Sequence, residues 1–233
     1  MKPGDPAAVE QLFDAVAPRY DQLNDWLSFG LHRQWKRQLV RSLQPRSGET
    51  WIDLCCGTGD LALELARSVR PDGRVLGLDA AAAPLELARQ RQRRQPWLSV
   101  DWLQGDALQT GLAEASADGV VMAYGLRNLA DPAAGLAEIH RLLKPGGRAG
   151  VLDFNRLPVE APAAAFQRFY LRRLVVPAAA AVGLREEYAY LEESLKRFPD
   201  GRGQEQLALA AGFQQARHRP LVAGQMGLLL VQK

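Results

Sequence analysis

The chain has 233 residues, 47% of them hydrophobic and 24% charged, with a formal net charge of +3, three histidines and two cysteines. That length and apolar content suit one sizeable α/β domain with decorations and exclude global disorder. The small basic excess does not by itself argue for nucleic acid, and the adjacent Cys55 and Cys56 have no His or Cys beside them, so no metal site and no disulfide is expected.

In chain order, residues 7–17 and 33–43 read as amphipathic helices, the first carried by Val9, Leu12, Phe13 and Val16, the second by Trp35, Leu39, Val40 and Leu43. Arg33, Lys36, Arg37 and Arg41 recur along one side of the second, either a solvated face or one drawn to an anionic membrane surface. Strand candidates follow at 50–55, 74–79, 98–104, 118–123 and 148–154, each next to a helical pattern. Their spacing implies right-handed crossovers and a parallel sheet covered on both faces. Pro132 opens a helix that runs through Leu143, and Lys144-Pro145-Gly146-Gly147 stops it. After Asp153 the regularity breaks at Pro158, Pro162 and Pro177, so 158–200 reads as a helical insertion over the carboxyl edge of the sheet. A helix at 204–211 and strands near 213–220 and at 226–232 complete one domain: an N-terminal helical cap (1–47), a core (48–157), the insertion (158–200) and a final helix and strands (201–233). The N-terminus lacks signal-peptide features and Leu174–Leu184 is too short to span a bilayer, so a cytoplasmic protein, soluble or peripheral on a membrane, is expected.

The most informative stretch is Trp51-Ile52-Asp53-Leu54-Cys55-Cys56-Gly57-Thr58-Gly59-Asp60, a strand, a tight glycine turn and the start of a helix. Gly57 and Gly59 let the backbone turn sharply and lie against a ligand. Asp79 ends the next strand, where its carboxylate can accept both hydroxyls of a ribose. A dinucleotide would set its pyrophosphate on the helix N-terminus. Asp60 there, with Asp53 nearby, opposes that charge and suits a cationic methyl donor such as S-adenosylmethionine; the alternative is that Asp60 merely caps its helix.

Two further strand ends carry candidates. Asp106 with the amide of Ala107 suits the donor and acceptor edge of adenine, although Gly105-Asp106 is also an ordinary turn. Arg127 and Asn128 end the fourth strand, and a buried cation there must be paired or reach a ligand. The competing reading is a structural pair with Asp153. His32 follows the turn Ser28-Phe29-Gly30-Leu31 and suits a base, an orienting group or a plain structural hydrogen bond. His140 and His218 read as solvated.

Together these segments resemble the ubiquinone/menaquinone C-methyltransferase family over most of the chain. The signatures are Tyr20-Asp21-Gln22-Leu23-Asn24-Asp25-Trp26-Leu27-Ser28-Phe29-Gly30-Leu31-His32-Arg33-Gln34-Trp35-Lys36, then Gly125-Leu126-Arg127-Asn128, then Arg141-Leu142-Leu143-Lys144-Pro145-Gly146-Gly147. Cys55-Cys56 before the Gly-Thr-Gly turn resembles the cyanobacterial and plastid branch, which methylates demethylphylloquinone. Cys55 replaces the first glycine of the general loop, so the turn must bear a side chain there. The resemblance implies a Rossmann-like class I S-adenosylmethionine-dependent methyltransferase, α/β, with a mostly parallel seven-stranded sheet whose last strand is antiparallel. By matching position Thr58, Asp79, Asp106 and Ala107 would bind the donor. Arg127 and Asn128 would face a prenylated naphthoquinol or benzoquinol, with His32, Tyr20 and Asp153 as candidate proton acceptors. By their own apolar character Phe166, Phe169, Tyr170 and Leu174 in the insertion read either as a wall for the prenyl tail or as an ordinary helical extension packed on its own core. The expected partners are that quinol, a transient membrane surface and a second copy in a homodimer, with no nucleic acid. Rival readings are a dehydrogenase, an RNA methyltransferase, and a non-catalytic donor-binding assembly factor in quinone synthesis.

Overall fold

The computed structural model describes Ser28, residues 30–157, Arg173 and residues 193–233. The expected helix at 7–17, Tyr20, and the insertion's Phe166, Phe169, Tyr170 and Leu174 lie outside the described residues. In chain order the elements are α1 (Leu31–Leu43), β1 (Thr50–Leu54), α2 (Asp60–Ser68), β2 (Arg74–Asp79), α3 (Ala82–Arg93), β3 (Val100–Gln104), β4 (Ala117–Ala123), α4 (Pro132–Leu142), β5 (Leu143–Phe154), α5 (Gly201–Ala210), β6 (Gln215–Leu221) and β7 (Met226–Gln232).

The strands form one sheet in the order β3-β2-β1-β4-β5-β7-β6. All neighbours from β3 to β5 pair in parallel, and β7 runs antiparallel between β5 and β6. The chain steps outward from β1 to β3 and then returns to β4 on the other side of β1. In open α/β sheets, ligands bind beyond the carboxyl ends at such a reversal.

Strands buried on both faces explain why the apolar runs are nearly continuous rather than alternating. Ile52, Leu54, Val120, Met122 and Val151 pack into one core with α4 and α5 residues such as Leu136, Ile139 and Ala208. Trp51, Val121 and Leu152 pack into the other with Leu39, Val40 and Leu43 of α1 and Leu61 and Leu65 of α2. The described part of the N-terminal cap is therefore integral to the core. Within the insertion range, Leu195 and Phe198 are buried too.

Several boundaries differ from expectation. β5 begins at Leu143 rather than 148, because Leu143 pairs with Ala117 and Arg148 with Gly119; the Lys144–Gly147 turn bulges out between those rungs, with Gly146 at φ +77°. α5 starts at Gly201, where Asp200 caps it by accepting from the Gly203 amide at 2.8 Å. Two histidines expected to be solvated are only partly exposed. His140 packs edge-on against Phe213 at 5.1 Å. His218 bonds Asn155 through Nε2 at 2.9 Å, and its ring fills space that a Cβ on Gly201 or Gly227 would need. Burial lowers the pKa of both. The two cysteines are free, and burial raises both thiols well above their ordinary range, as expected for small core side chains. Among the described residues, no helix is long and apolar enough to cross a membrane.

Candidate active site at the carboxyl edge of the sheet

The loop after β1 holds three residues in the left-handed region: Cys55 at φ +55°, Gly57 at +53° and Gly59 at +83°. The side chain expected at position 55 is thus held in a conformation that usually selects glycine. Cys55 also presses on the next segment, since a Cβ on Gly125 would fall 2.7 Å from its Cβ. Gly59 has its own constraint: a Cβ there would meet the Trp102 ring at 2.5 Å.

Two aspartates hold this loop from beneath. Asp79 accepts from the Gly57 amide at 2.7 Å and, through its other oxygen, from the Ala81 amide at 3.0 Å. Asp53 is 1% exposed and accepts from the Ala62 amide at 2.9 Å through Oδ2, while its Oδ1 is buried with no hydrogen-bond partner. Burial pushes its carboxyl up to about 8, against the pull of Lys36 and the Ala62 amide, with Asp79 and Asp60 raising it further.

Asp60 corrects the sequence reading. It makes no side-chain cap bond, and it does not confront the ligand as a bare negative charge. Lys36 of α1 meets it at 2.8 Å and Arg91 of α3 at 2.9 Å. Burial works to raise the Asp60 carboxyl, but Lys36, Arg91 and His32 outweigh it and hold the group below its ordinary value. Its charge is therefore matched by two cations that lie far off in sequence, and the preference against pyrophosphate cannot be drawn from Asp60. Arg91 also donates to the Thr58 carbonyl and hydroxyl, at 3.1 and 3.0 Å.

Across the switch point, β4 ends at Ala123 and Tyr124 follows at φ +62°, leading into a single 3-10 turn over Leu126–Asn128. The pair that was the competing reading forms: the Arg127 amide donates to Asp153 Oδ2 at 3.0 Å and its Nε to Oδ1 at 3.3 Å, with both side chains buried. Arg127 Nη1 also donates to Ser194 Oγ, a contact from the far end of the insertion range that nothing local in the sequence marks. Asp153 further accepts from the Phe154 amide at 2.8 Å, so both its oxygens are engaged. Burial raises its pKa while Arg127 and the amides pull it down, leaving it above the ordinary value. Asn128 donates to the Tyr124 carbonyl at 2.9 Å, and its Oδ1 is buried without a partner.

The remaining candidates stand as follows. His32, buried, pairs with Ser28 Oγ through Nδ1 at 2.8 Å, the structural bond that was one of its readings. Asp106 is exposed and accepts from the Leu108 amide at 2.8 Å, a tight turn, while Ala107 is buried against the core.

A parallel sheet with a left-handed glycine loop at its switch point and a carboxylate ending the adjacent strand is the architecture of Rossmann-like S-adenosylmethionine-dependent methyltransferases. A methyltransferase of that kind from Aquifex aeolicus shares the fold, with a TM-score of 0.64 at 15% identity over 98% of both chains. The chain belongs to the ubiE/COQ5 methyltransferase family, whose model matches residues 1–233. It is an enzyme, and S-adenosylmethionine is its methyl donor. It is 47% identical over 226 residues to the 2-phytyl-1,4-naphthoquinone methyltransferase of Nostoc punctiforme, covering 97% of this chain and 98% of that one. A protein of the same name from Synechococcus elongatus is 48% identical over 228 residues, covering 97% of each chain.

Proposed function

We propose that this enzyme methylates a ring carbon of a prenylated naphthoquinol, converting demethylphylloquinol to phylloquinol. The observation that carries this reading is the meeting of the Cys55–Gly59 loop and the Tyr124–Asn128 segment at one switch point, in a protein about half identical to naphthoquinone methyltransferases along nearly its whole length. On the donor side we assign Asp53, Gly57, Thr58, Gly59, Asp79, Asp106 and Ala107. The residues fit the donor: the unpartnered Asp53 Oδ1 suits an ammonium, and Asp79 at the end of β2 suits ribose hydroxyls. When bound, S-adenosylmethionine supplies a methyl group on a cationic sulfur.

On the acceptor side we assign Arg127 and Asn128. A ring carbon becomes nucleophilic when the neighbouring hydroxyl turns to phenolate, so the reduced quinol is the substrate. Arg127 is held by Asp153, which offsets much of its charge. Its contribution to the phenolate is therefore directed hydrogen bonding from the guanidinium rather than the field of a lone cation. The unpartnered Asn128 Oδ1 suits a quinol hydroxyl as donor. With both oxygens engaged, Asp153 serves as the anchor of Arg127, and the proton acceptor is drawn from His32 and Tyr20. Arg33, Arg37 and Arg41 remain exposed on α1 and supply attraction to the anionic membrane in which a phytyl-tailed substrate resides.

The test is mass spectrometry of demethylphylloquinone incubated with methyl-labelled S-adenosylmethionine, with and without dithionite. Label should enter the ring only under reduction. Preferred labelling of a benzoquinol would reassign the substrate, and no transfer to any quinol would favour the assembly-factor reading.

A further inference from the structure

Lys36 enters the site so far only as a charge that opposes the protonation of Asp53 and meets Asp60, yet its position is unusual among the basic residues of α1. Arg33, Arg37 and Arg41 are exposed, whereas the Lys36 side chain is 19% exposed. Its ammonium lies 2.8 Å from Asp60 Oδ2 and 5.9 Å from the centre of the Tyr124 ring. Asp60 directly follows Gly59 and so ends the donor loop. Tyr124 directly precedes Gly125 and opens the acceptor segment, and its carbonyl accepts from the Asn128 side-chain amide at 2.9 Å. One cation therefore touches both walls of the cleft.

Charge balance alone does not call for this lysine. Arg91 already meets Asp60 at 2.9 Å, and its bonds to Asp60 and Thr58 tie the donor loop to α3. Tyr124, by contrast, needs outside support. A tyrosine at φ +62° carries backbone strain and persists only where its surroundings hold it. Its amide is held by the Leu152 carbonyl at 2.7 Å, and its ring by Phe154 at 5.9 Å and by the Lys36 ammonium.

We propose that Lys36 is a positioning residue for methyl transfer, setting the separation of the donor loop and the Tyr124–Asn128 segment without touching either substrate. The inference rests on the reading that these two segments flank the reacting groups. Transfer between two bound substrates is steeply sensitive to their alignment, so a small displacement of one wall lowers the rate of the chemical step before it weakens binding.

The test compares Lys36→Met, which keeps most of the stem, with Lys36→Arg, which keeps the cation. At saturating donor, single-turnover transfer by Lys36→Met should slow by about tenfold or more, and any loss of donor affinity should be confined to the pH range in which Asp53, deprived of the pull of Lys36, is still protonated. Lys36→Arg should recover most of the rate. Adding Lys36→Met to Tyr124→Leu should slow transfer by less than it slows the wild type, because both changes break the same contact. In the donor-free protein, hydrogen exchange at the Gly59 and Asn128 amides should quicken together in Lys36→Met and not in Lys36→Arg. A wild-type transfer rate in Lys36→Met, or parallel losses of rate, donor affinity and melting temperature that arginine does not rescue, would overturn the proposal. If the wild-type enzyme does not methylate the naphthoquinol, the functional reading fails by itself. Exchange then still decides, since faster exchange confined to the donor loop would refute the link across the cleft. Should Lys36→Met not fold, Lys36→Gln and the Tyr124→Leu cycle carry the same comparisons.

Discussion

At neutral pH the buried carboxyl of Asp53 should carry a proton. Burial raises it from 3.8 to about 8, and only Lys36 and the Ala62 amide oppose the shift. Because the folded value lies above the unfolded one, the native state holds the extra proton between those limits. Its stabilising effect is complete below the unfolded value and is lost as pH rises through the folded one. In that window stability falls by about 1.4 kcal/mol per pH unit, with a ceiling of about 6 kcal/mol over the whole span. Asp53→Asn keeps the shape and removes the titration. Urea unfolding of wild type and variant between about pH 5 and pH 8 should therefore give a stability difference that drifts against the wild type at that slope. Donor binding should report the same group from the other side. An ammonium beside Asp53 Oδ1 favours the carboxylate, so binding expels a proton, and affinity gains up to about tenfold per unit as pH climbs toward the folded value. Subtracting the Asp53→Asn curve removes the titration of the donor's own amine. Calorimetry in buffers of different ionisation heat would detect the released proton directly. Parallel stability curves together with no proton release would refute both the protonation state and the assignment of Asp53 to the donor.

Gly59→Ala should cost about 2–4 kcal/mol in denaturant melts, since the new methyl falls 2.5 Å from the Trp102 ring, while Gly57→Ala, with nothing within 4 Å, should cost about 1 kcal/mol from backbone strain alone; equal losses would remove the packing argument. Asp79→Ala should weaken S-adenosylmethionine by about 1.5–3 kcal/mol in calorimetry, with no measurable binding of NAD to the wild type, and an unchanged affinity would contradict the ribose assignment. Arg127→Met should slow single-turnover transfer by about a hundredfold and raise the pH at which the rate reaches its plateau, because the quinol loses the group that eases its ionisation. It should also cost about 3–5 kcal/mol of stability by orphaning Asp153; Arg127→Met with Asp153→Asn should regain much of that stability but not the rate, and a recovered rate would make the pair purely structural.

The sheet was legible in the sequence because each strand is a short apolar run ended by a turn, and the parallel arrangement followed from the helices between them. The same logic found the loop, since Gly57, Gly59 and Asp79 report a local backbone requirement that a single stretch of sequence can carry. Side-chain partners are a different matter. Lys36 and Arg91 reach Asp60 from 24 and 31 residues away, and Ser194 reaches Arg127 from 67. Nothing in a local pattern distinguishes Lys36 from Arg33 or Arg37 on the same helix. His218 misled for a similar reason: its basic neighbours suggest solvent, while the glycines that make room for its ring lie on other elements.

The loop departure at position 55 was visible, but its consequence was not. Where the general methyltransferase loop is expected to have its first glycine, this protein sets a cysteine side chain in left-handed backbone, and the space it occupies is the space a Cβ at position 125 would need. The two residues belong to different motifs, one following β1 and the other following β4, yet they are packed as a single unit at the switch point. A larger residue at 125 would have to push the Cys55 loop or the Arg127–Asn128 turn away. The donor loop and the acceptor segment are thus joined twice, by a steric interlock beneath the cleft and by the Lys36 cation between Asp60 and Tyr124. The interlock limits how closely the walls approach, and the cation limits how far they part. A site that must align a carbon, a methyl group and a sulfur in one line has use for both constraints.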